Sequence, residues 1–217
     1  MPSKIFSMEL SGLDGCLVEI EVDARCAMPS IAIVGLPDAA VQEARERVQS
    51  AVKNSDFPFP RGRVVINLAP ADLKKAGPRH DLAIALGVIA HSGIVPEHHF
   101  HNTIFLGELS LEGQVRPITG VLASVEHAKK RGFKKIMVPK ENASEAALIP
   151  GIQIWPVGDL REAVLYLSDA ISAIPPEPPP IEHKVINAID MCLIKGQFQA
   201  KRALEIAAAG GHNILIL

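Results

Sequence analysis

The sequence predicts an α/β domain followed by a short segment of different character. Over roughly the first 170 residues, stretches with an apolar residue at every second position alternate with stretches where apolar residues recur every three or four positions. Hydrophobic residues make up 48% of the 217-residue chain and charged residues 21%, which is typical of a globular protein with a real core. Interleaved strand and helix periods predict one mixed domain.

The predicted strands are short apolar stretches bounded by turn residues. The first two, residues 5–10 and 16–22, flank a glycine-containing turn and read as a hairpin. Further strands are predicted over residues 30–34, 63–68, 103–106, 114–116, 135–138 and 152–155.

The predicted helices carry apolar residues at helical spacing, and three of them have a capping residue in front. Residues 82–91 are apolar all round, which predicts a buried helix. The helices cover residues 39–54 after Asp38, 82–91, 120–131, a short turn opened by Asn142, and 160–167 after Asp159. Glutamates stand three positions after Asn142 and Asp159, which is the spacing of a capping box.

A proline-rich stretch, IPPEPPP over residues 174–180, predicts an extended linker because it can form neither a helix nor a strand ladder. We therefore divide the chain into a domain at 1–172, a linker at 173–184 and a further segment at 185–217. In that last segment residues 199–209 favour a helix, and 213–217 read as the start of a strand.

Charge and cysteine content set limits on the protein class. The formal net charge is −2, so DNA or RNA would have to bind to a local basic patch. The three cysteines are far apart in sequence, which favours a reducing compartment over a disulfide framework. The longest apolar run, residues 82–90, is too short to span a bilayer. We expect a cytoplasmic protein with no membrane partner.

Four motifs carry a resemblance to a known family. IVGLPDAAV at 33–41, VINLAPADL at 65–73 and GELSLEG at 107–113 resemble the N-terminal domain of Mg-chelatase-like competence proteins. Lys195, Gly196 and Gln197, with AKRALEIAAAGGHN at 200–213, resemble the opening of the Mg-chelatase-like AAA+ ATPase domain.

The resemblance implies a ribosomal protein S5 domain 2-like fold, shared with Lon peptidases, followed by an incomplete AAA+ fragment truncated before the Walker A loop. It implies a non-catalytic domain of a DNA branch-migration helicase that aids recombination and natural transformation. The full-length protein would form a hexamer and use ATP and Mg, with Gly196 and Gln197 near the base. Partners would be its own ATPase domain, neighbouring subunits and DNA. The alternative is the ATPase subunit of a metal chelatase, and a less favoured one is an active Lon-type peptidase.

The peptidase alternative can be tested on two positions. The resemblance to Lon places Arg79 where that family has its nucleophilic serine, and Leu122 where it has the activating lysine. A hydroxyl nucleophile needs a base to take its proton, and neither arginine nor leucine can fill these roles. We therefore expect no catalytic residues in this chain.

Two groups of basic residues are candidates for contacts with nucleic acid, since phosphate contacts require positioned positive charge. The first group is Arg61, Arg63, Lys74, Lys75 and Arg79. The second group is Lys129, Lys130 and Arg131, for which a solvated helix end is the favoured interpretation.

The histidines allow two further interpretations. His80 and Asp81 could suggest acid–base chemistry, but Asp81 is predicted to stabilise the start of the helix that follows, by capping and by the helix dipole. His91, His98, His99 and His101 could suggest a metal site, but no further cysteine or histidine pair lies at structural-zinc spacing. We predict a solvated loop there, and no metal site.

Overall fold

The computed structural model describes residues 3–180 and 190–216 and divides the chain into two compact units, 1–179 and 180–217. The predicted linker, and the start of the segment predicted at 185–217, lie partly outside the described residues. Residues 172–180 form neither helix nor strand. None of the helices in the described ranges is long and apolar enough to cross a membrane.

The α/β class predicted from the sequence is confirmed in the first unit. Its nine strands are β1 (Ser3–Ser11), β2 (Asp14–Arg25), β3 (Ser30–Val34), β4 (Arg63–Ala69), β5 (Thr103–Phe105), β6 (Glu108–Leu109), β7 (Val115–Arg116), β8 (Lys135–Pro139) and β9 (Gln153–Val157). Its described residues form five α-helices, α1 (Ala39–Asn54), α2 (Asp81–His91), α3 (Val121–Lys130), α4 (Ala143–Ala146) and α5 (Leu160–Leu167). All of these elements except β6 lie within a few residues of a predicted position, whereas the two-residue strand β6 was not predicted.

Seven strands form one sheet in the order β3-β4-β2-β1-β5-β8-β9, and β6 pairs with β7 in a small separate ribbon. Strand β2 runs antiparallel to both of its neighbours, β1 and β4. All other neighbours in the large sheet are parallel. Consequently every strand of this sheet except β2 points the same way, and the sheet has one amino edge and one carboxyl edge.

Alternating side chains divide the core into two clusters on opposite faces of the sheet, as the period of a strand requires. In β8, for example, Met137 belongs to one cluster, while Ile136 and Val138 belong to the other. The first cluster packs under α1, α2 and α5, and the second under α3 and α4. Helix α2 is buried from Asp81 to Ala90, as its apolar sequence predicted.

Two of the three predicted caps are confirmed. Asp38 accepts a hydrogen bond from the N–H of Val41, and Asp159 accepts one from the N–H of Glu162. The prediction for Asn142 is wrong, because its side chain instead bonds the backbone N–H and carbonyl of Ile118 in the segment before α3. A tertiary contact has therefore replaced the local cap.

The second unit contains a helix, α6 (Phe198–Gly210), which covers the predicted range and ends at Gly211 in the left-handed conformation. The strand predicted at 213–217 is not formed over residues 213–216, and Leu217 lies outside the described residues. A strand needs hydrogen bonds to a neighbour. Leu215 and Ile216 are 80% and 62% exposed, so no neighbouring strand of the described chain covers them. The apolar pattern of these residues was therefore not enough to form a strand.

Candidate functional site

A cleft of about 420 Å³ opens at the carboxyl edge of the sheet. It is lined by Glu9 near the end of β1, by residues 76–79 after β4, by Glu108 after β5 and by residues 117–119 before α3. Ligand sites in open α/β sheets characteristically lie beyond the carboxyl ends of the strands. The cleft is therefore the first candidate for a binding site.

Arg79 forms one wall of this cleft, and its side chain is only 11% exposed. Its guanidinium donates to the backbone carbonyl of Thr119 at 2.9 Å and to that of Met8 at 3.5 Å. Its Nε lies 3.9 Å from a carboxylate oxygen of Glu9. Burial lowers the pKa of Arg79, although Glu9 opposes this effect. Arg79 thus joins three segments of the cleft. The sequence suggested a cation on an open surface, and the structure shows that Arg79 is not one.

Leu122, the second residue that the Lon resemblance singled out, lies in the first turn of α3. Its backbone N–H donates to the Glu145 carboxylate, and its side chain is 38% exposed. The structure therefore brings the segment just before Leu122 against Arg79 through Thr119, but Leu122 is not among the residues that line the cleft.

A buried polar chain lies under the cleft. The Ser7 hydroxyl is 2.9 Å from Nδ1 of His80, and Nε2 of His80 is 3.0 Å from the Glu9 carboxylate. Ser7 and His80 are almost fully buried, so this serine cannot meet a substrate from solvent. Neither Ser7 nor Glu9 could be identified from the sequence, because neither lies in a recognisable motif. These hydrogen bonds hold β1 to the start of α2.

Glu9 is the acceptor at the end of this series of hydrogen bonds. It also accepts hydrogen bonds from the backbone N–H groups of Ala76 and Leu10, at 2.8 and 2.9 Å. Burial alone raises its pKa, but the bonds from His80 and the backbone outweigh burial, so the pKa lies below the usual value. Glu9 is therefore a carboxylate that the fold holds in its ionised form.

The predicted capping role of Asp81 is wrong. Asp81 lies inside the first turn of α2, where the helix dipole favours it as predicted, but its side chain does not cap the helix. It accepts hydrogen bonds from Arg47 on α1 and from the N–H of Leu109. The buried carboxylate therefore pairs with groups that are distant in the sequence, and the residues around Asp81 do not indicate which groups these are.

The structure also corrects the prediction for Lys75, which was placed on a basic surface. Lys75 is fully buried, and its Nζ donates to the backbone carbonyls of Gly35, at 3.0 Å, and of Pro70. Burial lowers the pKa of this lysine. Its neighbour Lys74 is exposed. Lys75 therefore joins two loops and offers no charge to a phosphate.

The remaining predicted basic residues are exposed, and all of them except Lys74 lie at the amino edge of the sheet, opposite the cleft. Arg61 and Arg63 stand at the start of β4, and Arg63 pairs in register with Arg25 at the end of β2. Lys129, Lys130 and Arg131 end α3, from which the chain enters β8. We call these six residues the basic edge.

The histidines named in the sequence are only partly solvated. His98 and His101 are exposed, while the side chain of His99 is only 9% exposed. His99 lies 3.0 Å from a carboxylate oxygen of Asp169, a residue 70 positions later that the sequence analysis did not connect to it. The prediction of a solvated loop is therefore wrong for His99.

In the second unit Gly196 and Gln197 form the turn that precedes α6. Both have positive φ, at 74° and 51°, and both are exposed. Lys201 of α6 donates to the carbonyl of Ile194, which closes this turn. A role near a nucleotide base remains a prediction.

Comparison with known proteins gives the family. Residues 20–142, more than half of the chain, match the family model described as "Subunit ChlI of Mg-chelatase". The chain belongs to the Mg-chelatase ChlI-like family. Residues 190–217 match a second model, described as "Magnesium chelatase, subunit ChlI". The family suggested by the four sequence motifs is therefore confirmed.

Curated relatives in bacteria agree with this assignment. An uncharacterised protein of Mycobacterium tuberculosis is 39% identical over 213 residues, and competence protein ComM of Haemophilus influenzae is 37% identical over 218 residues. Each alignment covers 98% of this chain and 42% of the relative, so the chain spans less than half the length of these relatives. Lon protease 2 of Bacillus subtilis is 31% identical over 191 residues, which cover 80% of this chain and 33% of the protease.

Proposed function

We propose that this chain is the N-terminal, non-catalytic part of a Mg-chelatase-like AAA+ ATPase that acts on DNA during competence and recombination, in the manner of a branch-migration helicase. The likeness to competence protein ComM supports a role in competence. The family match over residues 190–217 supports the proposal that this domain is attached to an ATPase domain. The likeness to Lon protease 2 supports a ribosomal protein S5 domain 2-like fold for the first unit. ATP and Mg would be used by the rest of the longer, cytoplasmic protein.

The observation that carries the DNA proposal is the position of the exposed cations. Of the eight basic residues selected from the sequence, five lie at the amino edge of the sheet: Arg61, Arg63, Lys129, Lys130 and Arg131. Lys134 lies at the same edge, because its N–H donates to the carbonyl of Asn102 just before β5. Exposed cations on one edge create a local positive field that a net charge of −2 does not suggest.

The spacing of these cations suits a duplex. Strands β4 and β8 are separated by four strand intervals, which amount to roughly 19 Å at about 4.8 Å each. The major groove of B-DNA is about 12 Å wide. The cations beside β4 and those beside β8 are thus more than one groove width apart, and we propose that they contact the two phosphate backbones that flank the groove. Such contacts fix position without reading sequence, as a helicase requires.

The cleft at the other edge suits a protein partner better than DNA. Two of its three charged residues, Glu9 and Glu108, are acidic, and the third, Arg79, already donates to protein acceptors. A phosphate in the cleft would therefore be repelled by the two carboxylates and would find no free cation to pair with. We assign this cleft to the ATPase domain of the same protein or to a neighbouring subunit in a hexameric ring.

DNA binding by the full 217-residue chain tests the proposal. Fluorescence anisotropy with a duplex and with a four-way junction should show binding that weakens as salt rises, as counterion release requires. The double variant Arg61→Glu/Arg63→Glu should weaken binding at least about tenfold. The matched control is Lys74→Glu/Lys140→Glu, which makes the same charge change at exposed positions near the carboxyl edge.

The control variant should bind DNA as the wild-type chain does. Equal affinities for all three proteins, or no binding at low salt, would reject the DNA role. The alternative would then be the ATPase subunit of a metal chelatase, which the description of the matching family model favours. That alternative predicts association with a chelatase partner in size-exclusion chromatography and no effect of the Arg61 and Arg63 substitutions on it.

A further inference from the structure

Three potential metal ligands meet at the amino edge of the sheet, away from the cleft. His98 and His99 end a short 3-10 helix before β5, and Asp169 follows α5. One ligand atom from each of the three residues lies within 4.8 Å of the other two. This grouping is independent of the proposed function, since it involves neither the cleft nor the residues of the basic edge.

The backbone holds these side chains in place. The carbonyl of His99 accepts a hydrogen bond of 2.7 Å from the Thr103 hydroxyl at the start of β5. The imidazole of His99 lies 6.3 Å from the ring of Trp155 in β9 and 4.1 Å from that of His98. His99 is therefore fixed by the fold, and the ring of His98 lies against it at an angle of 38° on the exposed side.

Asp169 is presented by an unusual backbone conformation. It follows the last turn of α5 with a positive φ of 55°, and its N–H donates to the carbonyl of Tyr166. Its carboxylate is 72% exposed and contacts Nε2 of His99 at 3.0 Å. Aspartate is one of the few non-glycine residues that tolerate this conformation. The turn directs a carboxylate, which glycine would lack, at the histidine pair.

The donor set identifies the class of ion. Two imidazoles and one carboxylate suit Zn²⁺ and its borderline neighbours, whereas Mg²⁺ and Ca²⁺ prefer oxygen ligands. Tetrahedral Zn²⁺ with ligands at about 2.0–2.1 Å places the ligand atoms about 3.4 Å apart. The His99–Asp169 pair is now hydrogen-bonded at 3.0 Å and would open by about 0.4 Å to admit the ion, while the ligand atom of His98 lies within 4.8 Å of both. Three protein ligands leave the fourth position to water.

We propose that His98, His99 and Asp169 form a binding site for a borderline divalent metal ion, Zn²⁺ by its donor set. The ion ties the turn before β5 to the end of α5. Beyond Asp169 the described chain has no further helix or strand before residue 180, so the ion fixes the point from which the proline-rich segment departs.

The test uses the tag-free 217-residue chain, stripped with a chelator and titrated with Zn²⁺ by calorimetry. One ion should bind per chain, and Zn²⁺ should raise the melting temperature because it binds only the folded state. Trp155 is the only tryptophan in the sequence, so Cu²⁺ at this site should quench its fluorescence. Mg²⁺ at the same concentration should change neither the melting temperature nor the fluorescence of Trp155.

The substitutions His98→Gln and Asp169→Asn alter exposed side chains and should leave the fold intact, as circular dichroism can verify. Each should weaken Zn²⁺ binding at least about tenfold and abolish the rise in melting temperature. The matched control, His101→Gln, removes an exposed histidine of the same turn that lies outside the group. It should bind as the wild-type chain does.

Two results would overturn the proposal. One is the absence of saturable Zn²⁺ binding by the folded wild-type chain. The other is binding that His98→Gln and Asp169→Asn leave unchanged, or that His101→Gln weakens equally, which would indicate scattered surface histidines. Neither result would bear on DNA binding, so this proposal and the proposed function fail separately.

Discussion

The carboxylate of Asp81 accepts two hydrogen bonds from the guanidinium of Arg47, one from Nε at 2.8 Å and one from Nη2 at 3.2 Å. The side chain of Asp81 is 1% exposed and that of Arg47 is 20% exposed. Burial raises the pKa of Asp81, and the bonds from Arg47 oppose this rise. The pair joins α1 to the first turn of α2 and compensates a charge inside the core.

Replacing Arg47 by methionine should destabilise the fold by about 3–5 kcal/mol, because it leaves a buried carboxylate unpaired. The Asp81 pKa would rise further in the folded state, so the protonated form would be favoured. The loss measured by urea unfolding should therefore be larger at pH 8 than at pH 5. The control Arg45→Met removes an exposed arginine of the same helix and should cost less than about 0.5 kcal/mol. Equal losses in both variants would contradict this account.

Glu9 should make stability depend on acid pH. Its folded-state pKa lies below the usual 4.5, so its contribution is present above that value and is lost as pH falls through the folded-state pKa. Urea unfolding of wild type and Glu9→Gln should therefore differ most near pH 6, and the gap should narrow towards pH 3. Glu112→Gln, which alters an exposed glutamate, is the control. A gap that stays constant with pH would show that Glu9 is not held ionised.

Two adjacent lysines should respond differently to the same substitution. Lys75→Met removes the buried ammonium that bonds the carbonyls of Gly35 and Pro70, and should destabilise the fold by about 2 kcal/mol or more. Lys74→Met, at an exposed position, should stay within about 0.5 kcal/mol of wild type. Chemical denaturation of both variants measures the difference. A tolerant Lys75 would mean that its two carbonyls find other donors.

The phenol of Tyr166 should resist ionisation. Burial raises its pKa to about 12, together with its hydrogen bond of 2.8 Å to the Glu162 carboxylate. It is the only tyrosine in the sequence, so ultraviolet absorbance of phenolate reports it alone. Titration of the wild-type chain should show little phenolate up to pH 11, whereas Glu162→Gln should ionise at lower pH. A wild-type midpoint near 10 would refute the proposed environment.

Local signals were sufficient where a segment's structure depends on its own residues. The amphipathic pattern after Asp38 predicted α1 with the bounds that the structure shows, and the capping residue Asp159 did the same for α5. The apolar stretch of α2 predicted both its type and its burial. In each case periodicity, capping and burial favour the same result.

Local signals failed where a side chain bonds to a distant segment. Lys75, Asp81 and Asn142 all have polar partners that lie far away in the sequence, and nothing near them indicates which partner the fold supplies. The same holds for the contact between His99 and Asp169, which depends on how α5 packs beside β9. The sequence pointed to Arg79, His98 and His99, but it did not indicate Glu9 or Asp169, and the tertiary structure was needed to group them.

The order of the sheet gives the first strand a special position. Strand β1 lies between β2 and β5, and in the described chain it alone joins the group β3-β4-β2 to the group β5-β8-β9 within the sheet. Its partner on one side follows at once, whereas β5 begins about 90 residues later. The second group therefore has no strand to dock on without residues 3–11. Any shorter version of the protein that begins after this strand separates the two halves of the domain, including the two halves of its positively charged rim.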